Sequence, residues 1–245
     1  MAYYDRIAIQ WHRITGYKGG IFKERILNDV LLDQVRSVQG LSVLEVGAGN
    51  GYFLPLALRR FSGQQPGRIV VSDVSRRLLE VAQNHFRIDN AEYLQLDVRK
   101  QLPFDDDEFD LVLATMLFNE VSDSGVHRGL QHIHRVLNVE GQFVMTVLHP
   151  AFINSLDRRD VLQRPGRGMC TMPGENGIRL PVVIRSAQNF YESALAEAGF
   201  AFTSEELFPT QEVLNQKPGL RKGGKLPIAK LYSCTKDRTG AGKDG

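Results

Sequence analysis

The sequence predicts an α/β fold, a mostly parallel sheet with helices on both faces. Short apolar runs alternate with amphipathic stretches of helical period from residue 41 onward. Glycines at 47, 49 and 51 sit between the first run and its helix, and the next two runs end at the acids Asp73 and Asp97. Glycines and acids at the carboxyl ends of neighbouring strands are where an open α/β sheet binds a ligand.

The elements follow in order. Apolar positions at Tyr4, Ile7, Ala8 and Trp11 mark one face of a first helix. "GYKGG" breaks it, and Phe22, Ile26, Leu27, Val30 and Leu31 mark a second, which Gly40 is expected to close. "LSVLEVG" reads as a buried strand and "FLPLALRRF" as its helix. "GRIVVSDVS" is a strand, and Ser75 caps the helix "SRRLLEVAQNHF". "EYLQLDV" and "FDLVLATML" are strands, "SGVHRGLQHIHRVLN" is a helix and "GQFVMTVLHP" is a fifth strand. After Pro150 the rhythm is lost in a Gly-, Pro- and Arg-rich insert, residues 150–187. An insert of that length at a strand's carboxyl end is more often functional than idle. A helix "SAQNFYESALAEAGF", a strand "AFTSEELF", a basic loop and a strand "LPIAKLYSCTK" close the fold. Residues 1–236 are read as one domain, with 1–38 a helical lid and 237–245 a disordered tail.

Composition excludes several classes. The 245 residues suit one α/β domain, and a net charge of +2 argues for neither nucleic acid nor a membrane surface. Cys170 and Cys234 are too far apart for a zinc spacing or a disulfide framework, and fit a reducing compartment. Without a signal-like start or a long apolar run, the expectation is a soluble cytoplasmic protein.

The glycine spacing separates cofactors. G-x-G-x-G, with Tyr52 where a third glycine would complete G-x-G-x-x-G, departs from the dinucleotide fingerprint, and no Lys-Ser or Lys-Thr follows as in a P-loop. Glu45, two residues before Gly47, would repel a pyrophosphate but suits a cationic, amino-acid-bearing ligand. Asp73 offers an acceptor for two ribose hydroxyls.

With "VLEVGAGNG", Asp73 and "LDV" in this order, the chain resembles the class I S-adenosylmethionine-dependent methyltransferases. "LPFDDDEFDLVLATMLFNEV" and "RVLNVEGQFVMTVLHP" continue the likeness, and the small-molecule type 11 group is the nearest in motif order. The resemblance covers residues 4–236 and implies a Rossmann-like, seven-stranded sheet with its last strand antiparallel. It implies transfer of a methyl group from S-adenosylmethionine to a small molecule, oxygen or nitrogen before carbon, leaving S-adenosylhomocysteine. Position by position, it places Glu45, Gly47 and Thr115 at the methionine end, with Gly49 and Gly51 close to the bend of the loop. Asp73 falls on the ribose, and Val74, Asp97 and Val98 on the adenine. "YDRIAIQW" is similar to the family's lid motif and puts Tyr4 and Trp11 near the sulfonium, Trp11 standing where a tyrosine is usual.

His149, ending the fifth strand on the ligand side, is the candidate general base, against a structural role at the strand end. Phe118, Asn119 and Glu120 in "LFNEV" are candidates for the acceptor side. No metal and no nucleic-acid or membrane partner is expected, and a homo-oligomer is left open. The rival classes are a catalytically silent cofactor-binding or assembly protein and an NAD(P)-dependent oxidoreductase.

Overall fold

The computed structural model describes residues 3–155, 161–164, 167–171, 179–185, 187, 189–216 and 225–237. Much of the insert, most of the basic loop and all of the tail except Asp237 therefore lie outside the described residues. α1 (Tyr3–Thr15) leads through a glycine turn to α2 (Gly20–Phe22), a π-helical turn (Lys23–Leu27) and α3 (Asn28–Gln34). Then come β1 (Ser42–Val46), α4 (Phe53–Arg60), β2 (Arg68–Asp73), α5 (Arg76–His85), β3 (Ala91–Gln95), β4 (Phe109–Thr115), α6 (Asp123–Val136) and β5 (Leu137–Leu148). α7 (Pro150–Ser155) opens the insert, in which β6 (Val161–Arg164), β7 (Arg167–Thr171) and β8 (Arg179–Val182) form a small antiparallel sheet. α8 (Phe190–Glu197), β9 (Phe200–Leu207), α9 (Gln211–Gln216) and β10 (Ala229–Lys236) complete the order.

The main sheet runs β3-β2-β1-β4-β5-β10-β9. β1 pairs parallel with β2 and β4, while β10 lies antiparallel to both β5 and β9. This is the Rossmann-like, seven-stranded sheet the sequence predicts. Strand order reverses beside β1, so the β1 and β4 carboxyl ends open a crevice there. Among the described residues, no helix is long and apolar enough to cross a membrane.

Alternation along the strands decides which face each functional side chain meets. Val43 on β1, Ile69 and Val71 on β2, and Leu111 and Leu113 on β4 pack on one face with Leu27, Leu31 and Leu32. Leu44, Val46, Val70 and Val112, with Phe143, Met145 and Val147 on β5, pack on the other beneath α6 and α8. Glu45, Asp73 and Thr115 share the parity of the first set.

The amino-terminal segment divides in two. Ile26, Leu27, Leu31, Leu32, Val35 and Val38 belong to the core, so only α1 and the turn after it have the placement of a lid. The second helix stops at Gln34, with Val35 extended, and Gly40 instead makes the turn into β1. α1 lies on α5: Ala8 packs with Leu78 and Val81, flanked by Tyr4 and Trp11. Asp5 pins it by accepting from Ser75 Oγ at 2.6 Å, while that same oxygen accepts from Leu78 N at 3.2 Å and caps α5.

Candidate active site

The glycine loop is built by backbone geometry. Gly51 has φ of 79°, and a Cβ there would stand 2.5 Å from the Ala82 Cβ, so the close approach of loop and α5 requires glycine. Ala48 N bonds to Ser72 O at 2.9 Å, tying the loop to β2. Asp73 holds it from the same side, one carboxylate oxygen accepting from Gly49 N at 2.9 Å and the other from Ser75 N at 2.8 Å. Burial still raises the Asp73 carboxyl above its ordinary range.

Glu45 lies beneath this loop and is 1% exposed. Its Oε2 is buried without a hydrogen-bond partner among the described residues. Burial drives its carboxyl up to about 8, with Lys23 opposing and Asp73 adding to the rise. A buried carboxylate without a partner is costly, and a ligand cation would relieve it. Thr115 Oγ1, at the carboxyl end of β4, is likewise buried and unpartnered.

Across the crevice, the Tyr4 hydroxyl donates to Glu120 Oε1, joining the lid to the loop after β4. Burial pushes the Glu120 carboxyl up to about 8, and the Tyr4 bond opposes the shift. Trp11 stacks edgewise on Tyr4 at 5.6 Å, and its Nε1 lies 3.8 Å from where a Cβ on Gly49 would be. The lid thus meets the glycine loop and the acceptor-side loop together. Val74 is 39% exposed past the end of β2. Asp97 is paired with Arg99 through both carboxylate oxygens, at 2.8 and 2.7 Å, which holds it below the usual carboxylate range. The Val98 side chain packs inward, leaving only its backbone available to a ligand.

The structure sets three candidates apart from the crevice. His149 Nδ1 accepts from Ala151 N at 3.1 Å and its Nε2 faces Glu206 at 3.4 Å. It follows Val147 in parity and meets α8 and β9, on the face opposite Glu45, and burial lowers its pKa. Phe118 is wholly buried against Gly129, so its ring offers no surface to an acceptor. Asn119 is used up on backbone: Nδ2 donates to Met116 O at 3.1 Å, and Oδ1 accepts from Leu148 N at 2.7 Å. Of the three acceptor-side candidates, Glu120 alone turns toward the crevice.

The structure adds two residues that the strand pattern does not mark. Lys23, on the π-helical turn, is half-buried beside Glu45 and Glu120, and burial lowers its ammonium to about 8. Arg185, 6% exposed, bonds Val121 O at 2.5 Å and the Tyr191 hydroxyl at 2.9 Å, bracing the loop that carries Glu120. "KGGIFK" and "RSAQNFY" are their only local signals.

Fold and site together define a class: an open α/β sheet with an acidic, glycine-looped crevice, the class I methyltransferase architecture. Residues 43–141 match the family model described as a methyltransferase domain. A ubiquinone/menaquinone biosynthesis C-methyltransferase of Idiomarina loihiensis is 29% identical over 111 residues, 44% of this chain and 42% of that protein. A malonyl-[acyl-carrier protein] O-methyltransferase of Acetivibrio thermocellus is 29% identical over 126 residues, 49% of this chain and 43% of that protein. The chain spans less than half the length of these curated relatives. A solved S-adenosylmethionine-dependent methyltransferase from Mesorhizobium loti shares the fold with a TM-score of 0.65 at 22% identity. The match covers 89% of this chain and 99% of that one.

The raised Glu45 carboxyl has a pH consequence. Its folded-state pKa of about 8 lies above the ordinary 4.5, so the folded state keeps a proton that the unfolded state releases, and stability falls as pH rises between those values. Glu45→Gln should therefore gain on the wild type by up to about 1 kcal/mol per pH unit from pH 5 to 8. Denaturant titration of both proteins across that range measures it, and a constant difference would mean that Glu45 titrates normally.

Proposed function

We propose that the protein is a methyltransferase that uses S-adenosylmethionine to methylate a hydroxyl or amine of a small molecule. The observation carrying this reading is the unpartnered Glu45 carboxylate oxygen beneath the glycine loop, beside an Asp73 already fixed in place. The crevice fits the cofactor by the chemistry of its donors. Glu45 would take the ammonium, with Gly47, Gly49, Gly51 and Thr115 around the methionine end. Asp73 would accept from the ribose, Val74 would cover the adenine, and Asp97 and the Val98 N–H would meet its edge. Tyr4 and Trp11 would close over the sulfonium side. When bound, the cofactor supplies an electrophilic methyl group.

The chain's own task is alignment, exclusion of water and, for an acceptor bearing a proton, its removal. Glu120 is placed for the last. It borders the acceptor side, the Tyr4 hydroxyl orients it, and burial raises its carboxyl to about 8. A proton-accepting carboxylate supports oxygen or nitrogen as the acceptor. Curated relatives named as C-methyltransferases in several species stand beside one named as an O-methyltransferase, so the shared domain does not itself carry the acceptor element.

Calorimetric titration with S-adenosylmethionine, S-adenosylhomocysteine and, separately, NADH tests the reading. Micromolar binding of the first two alone supports it, and binding of NADH alone sinks it. A second expectation comes from the placement of His149. His149→Asn, whose Oδ1 can still accept from Ala151 N, should leave S-adenosylhomocysteine affinity and methyl transfer within about threefold of wild type, as for a group remote from the reacting atoms. A hundredfold fall in turnover at unchanged affinity would restore His149 as the base.

A further inference from the structure

The carboxyl end of the lid is fastened to the glycine loop through one side chain. Gly16, with φ of 52°, ends α1, and its N–H returns to His12 O at 2.7 Å. Its own carbonyl turns to the loop, where the buried Asn50 donates to it from Nδ2 at 3.0 Å. The same nitrogen stands 3.3 Å from His12 Nδ1. A carbonyl can only accept, so the amide must present its NH2 to Gly16, and His12 Nδ1 must then accept as well. An accepting Nδ1 means a neutral imidazole with its proton on Nε2. The contact holds only in that protonation state.

The same ring meets a second histidine. His85, the last residue of α5, stacks on His12 with ring centroids 4.2 Å apart and planes at 26°. Phe86 and Tyr17 stand edgewise to His12 at 5.7 and 6.2 Å. Burial first, and then the neighbouring His85, lower the His12 pKa below the ordinary 6.5. Other charges on the elements packed here are engaged with one another. Asp5 accepts from Ser75 Oγ, and its carbonyl accepts from Arg77. Arg6 lies over the Tyr3 ring, Lys18 pairs with Glu24, Arg76 with Glu80 and Arg87 with Asp89. Arg13, exposed and next to His12 in the chain, carries only like charge.

We propose that Asn50 and the stacked pair His12–His85 form an acid-released latch between the glycine loop and the lid. It holds while His12 is neutral and lets the end of α1 rise when that ring takes a proton. Protonation removes the Nδ1 lone pair, sets two donors against each other and adds charge against the His85 ring. With the lid closed His12 binds its proton less tightly than with the lid open. The latch therefore contributes fully above about pH 6.5 and is lost as pH falls below it, by at most about tenfold per unit for one proton. At the amino end, the Tyr4–Glu120 bond follows a different range, the Glu120 carboxyl being raised to about 8. Release frees the part of α1 that carries Trp11, whose Nε1 stands over Gly49, while Asp5 keeps the other end on α5.

Acrylamide quenching of Trp11, the sole tryptophan, tests the latch in the ligand-free protein, so the result stands apart from the cofactor reading. Quenching of the wild type should rise at least about twofold between pH 7 and pH 5. His12→Asn sets an Oδ1 where Nδ1 stood and cannot titrate, so its quenching should stay low across that range. His85→Asn keeps the clash with Asn50 and removes the opposing ring, so it should shrink the rise without abolishing it. A wild type quenched equally at both pH values overturns the inference, and so does a His12→Asn variant that rises as the wild type does. High quenching of His12→Asn already at pH 7 would make the ring itself, and not its charge, the fastening, and overturns it too. An undiminished rise in His85→Asn overturns the part given to the stacked ring.

Discussion

Replacing Asp73 by alanine should abolish measurable S-adenosylhomocysteine binding or weaken it by at least about 100-fold, from two losses that add. The carboxylate closes the glycine loop onto β2 by accepting from Gly49 N and Ser75 N, one to each oxygen. Without it two N–H groups at a buried loop lose their acceptor, each costing about 1–3 kcal/mol. The same carboxylate is the proposed acceptor for the ribose hydroxyls, and a charge-assisted bond there contributes about 1.5–3 kcal/mol more. Relief of a carboxylate whose burial already raises its pKa offsets part of the first loss, but only in stability and not in affinity. Asp73→Asn separates the two. Its amide oxygen can accept at one N–H while its NH2 opposes the other, so its stability should fall between wild type and alanine. Thermal unfolding and calorimetry on both variants give the comparison. Should Asp73→Ala melt early yet bind S-adenosylhomocysteine within about threefold of wild type, Asp73 would be a loop clamp and nothing more.

Asp73 also shows what a sequence of this kind reveals. Its place at a strand end, the alternate glycines and the alternation of apolar runs are local features, and the mostly parallel sheet with its ligand-side crevice followed from them. The face a strand-end residue meets was equally written there, because His149 continues the row of Phe143, Met145 and Val147. Position along the strand alone suggested a base; parity places the imidazole on the far side. Phe118 and Asn119 are turned from the crevice for a different reason. A loop leaving a buried strand must satisfy its own backbone, and Asn119 bonds Met116 O and Leu148 N. Lys23 was illegible because its neighbours are distant in sequence: Tyr52 and Glu45 meet it only after α3 and β1 have folded together. Arg185 stands just ahead of the helix "SAQNFYESALAEAGF", but two of its partners are backbone carbonyls of another loop, and carbonyls leave no trace in a sequence.

That last residue carries the second large expected effect. Arg185 is 4% exposed in its side chain, yet it ties four places together. Its Nη2 donates to Val121 O at 2.5 Å, and Nη1 donates to the Tyr191 hydroxyl at 2.9 Å and Phe118 O at 3.4 Å. Its Nε stands 3.0 Å from Asp123 Oδ1, and its guanidinium lies 4.6 and 5.0 Å from the ring centroids of Phe190 and Tyr191. Arg185→Met keeps the volume and removes every donor. The Val121 carbonyl then loses its donor and the Phe118 carbonyl keeps only the Tyr191 hydroxyl at 3.3 Å, and about 3–4 kcal/mol is the scale for breaking such a buried charged network. For a chain of this length that is a fall in Tm of about 10 °C. Arg185→Lys should lie between, since one ammonium cannot span carbonyls that a planar fork reaches together. The consequence for the site is more specific than lost stability. Glu120 lies between the two braced carbonyls, so releasing them frees the carboxylate that Tyr4 holds and, through Tyr4, the lid. Trp11 is the sole tryptophan and stacks on Tyr4 at 5.6 Å, so its emission reports that release in the folded variant. A shifted emission well below the melting temperature would show that Arg185 holds the two sides of the crevice in register. An unshifted emission with the same fall in Tm would confine it to the core beneath α8, and Glu120 would owe its position to the glycine-loop side alone.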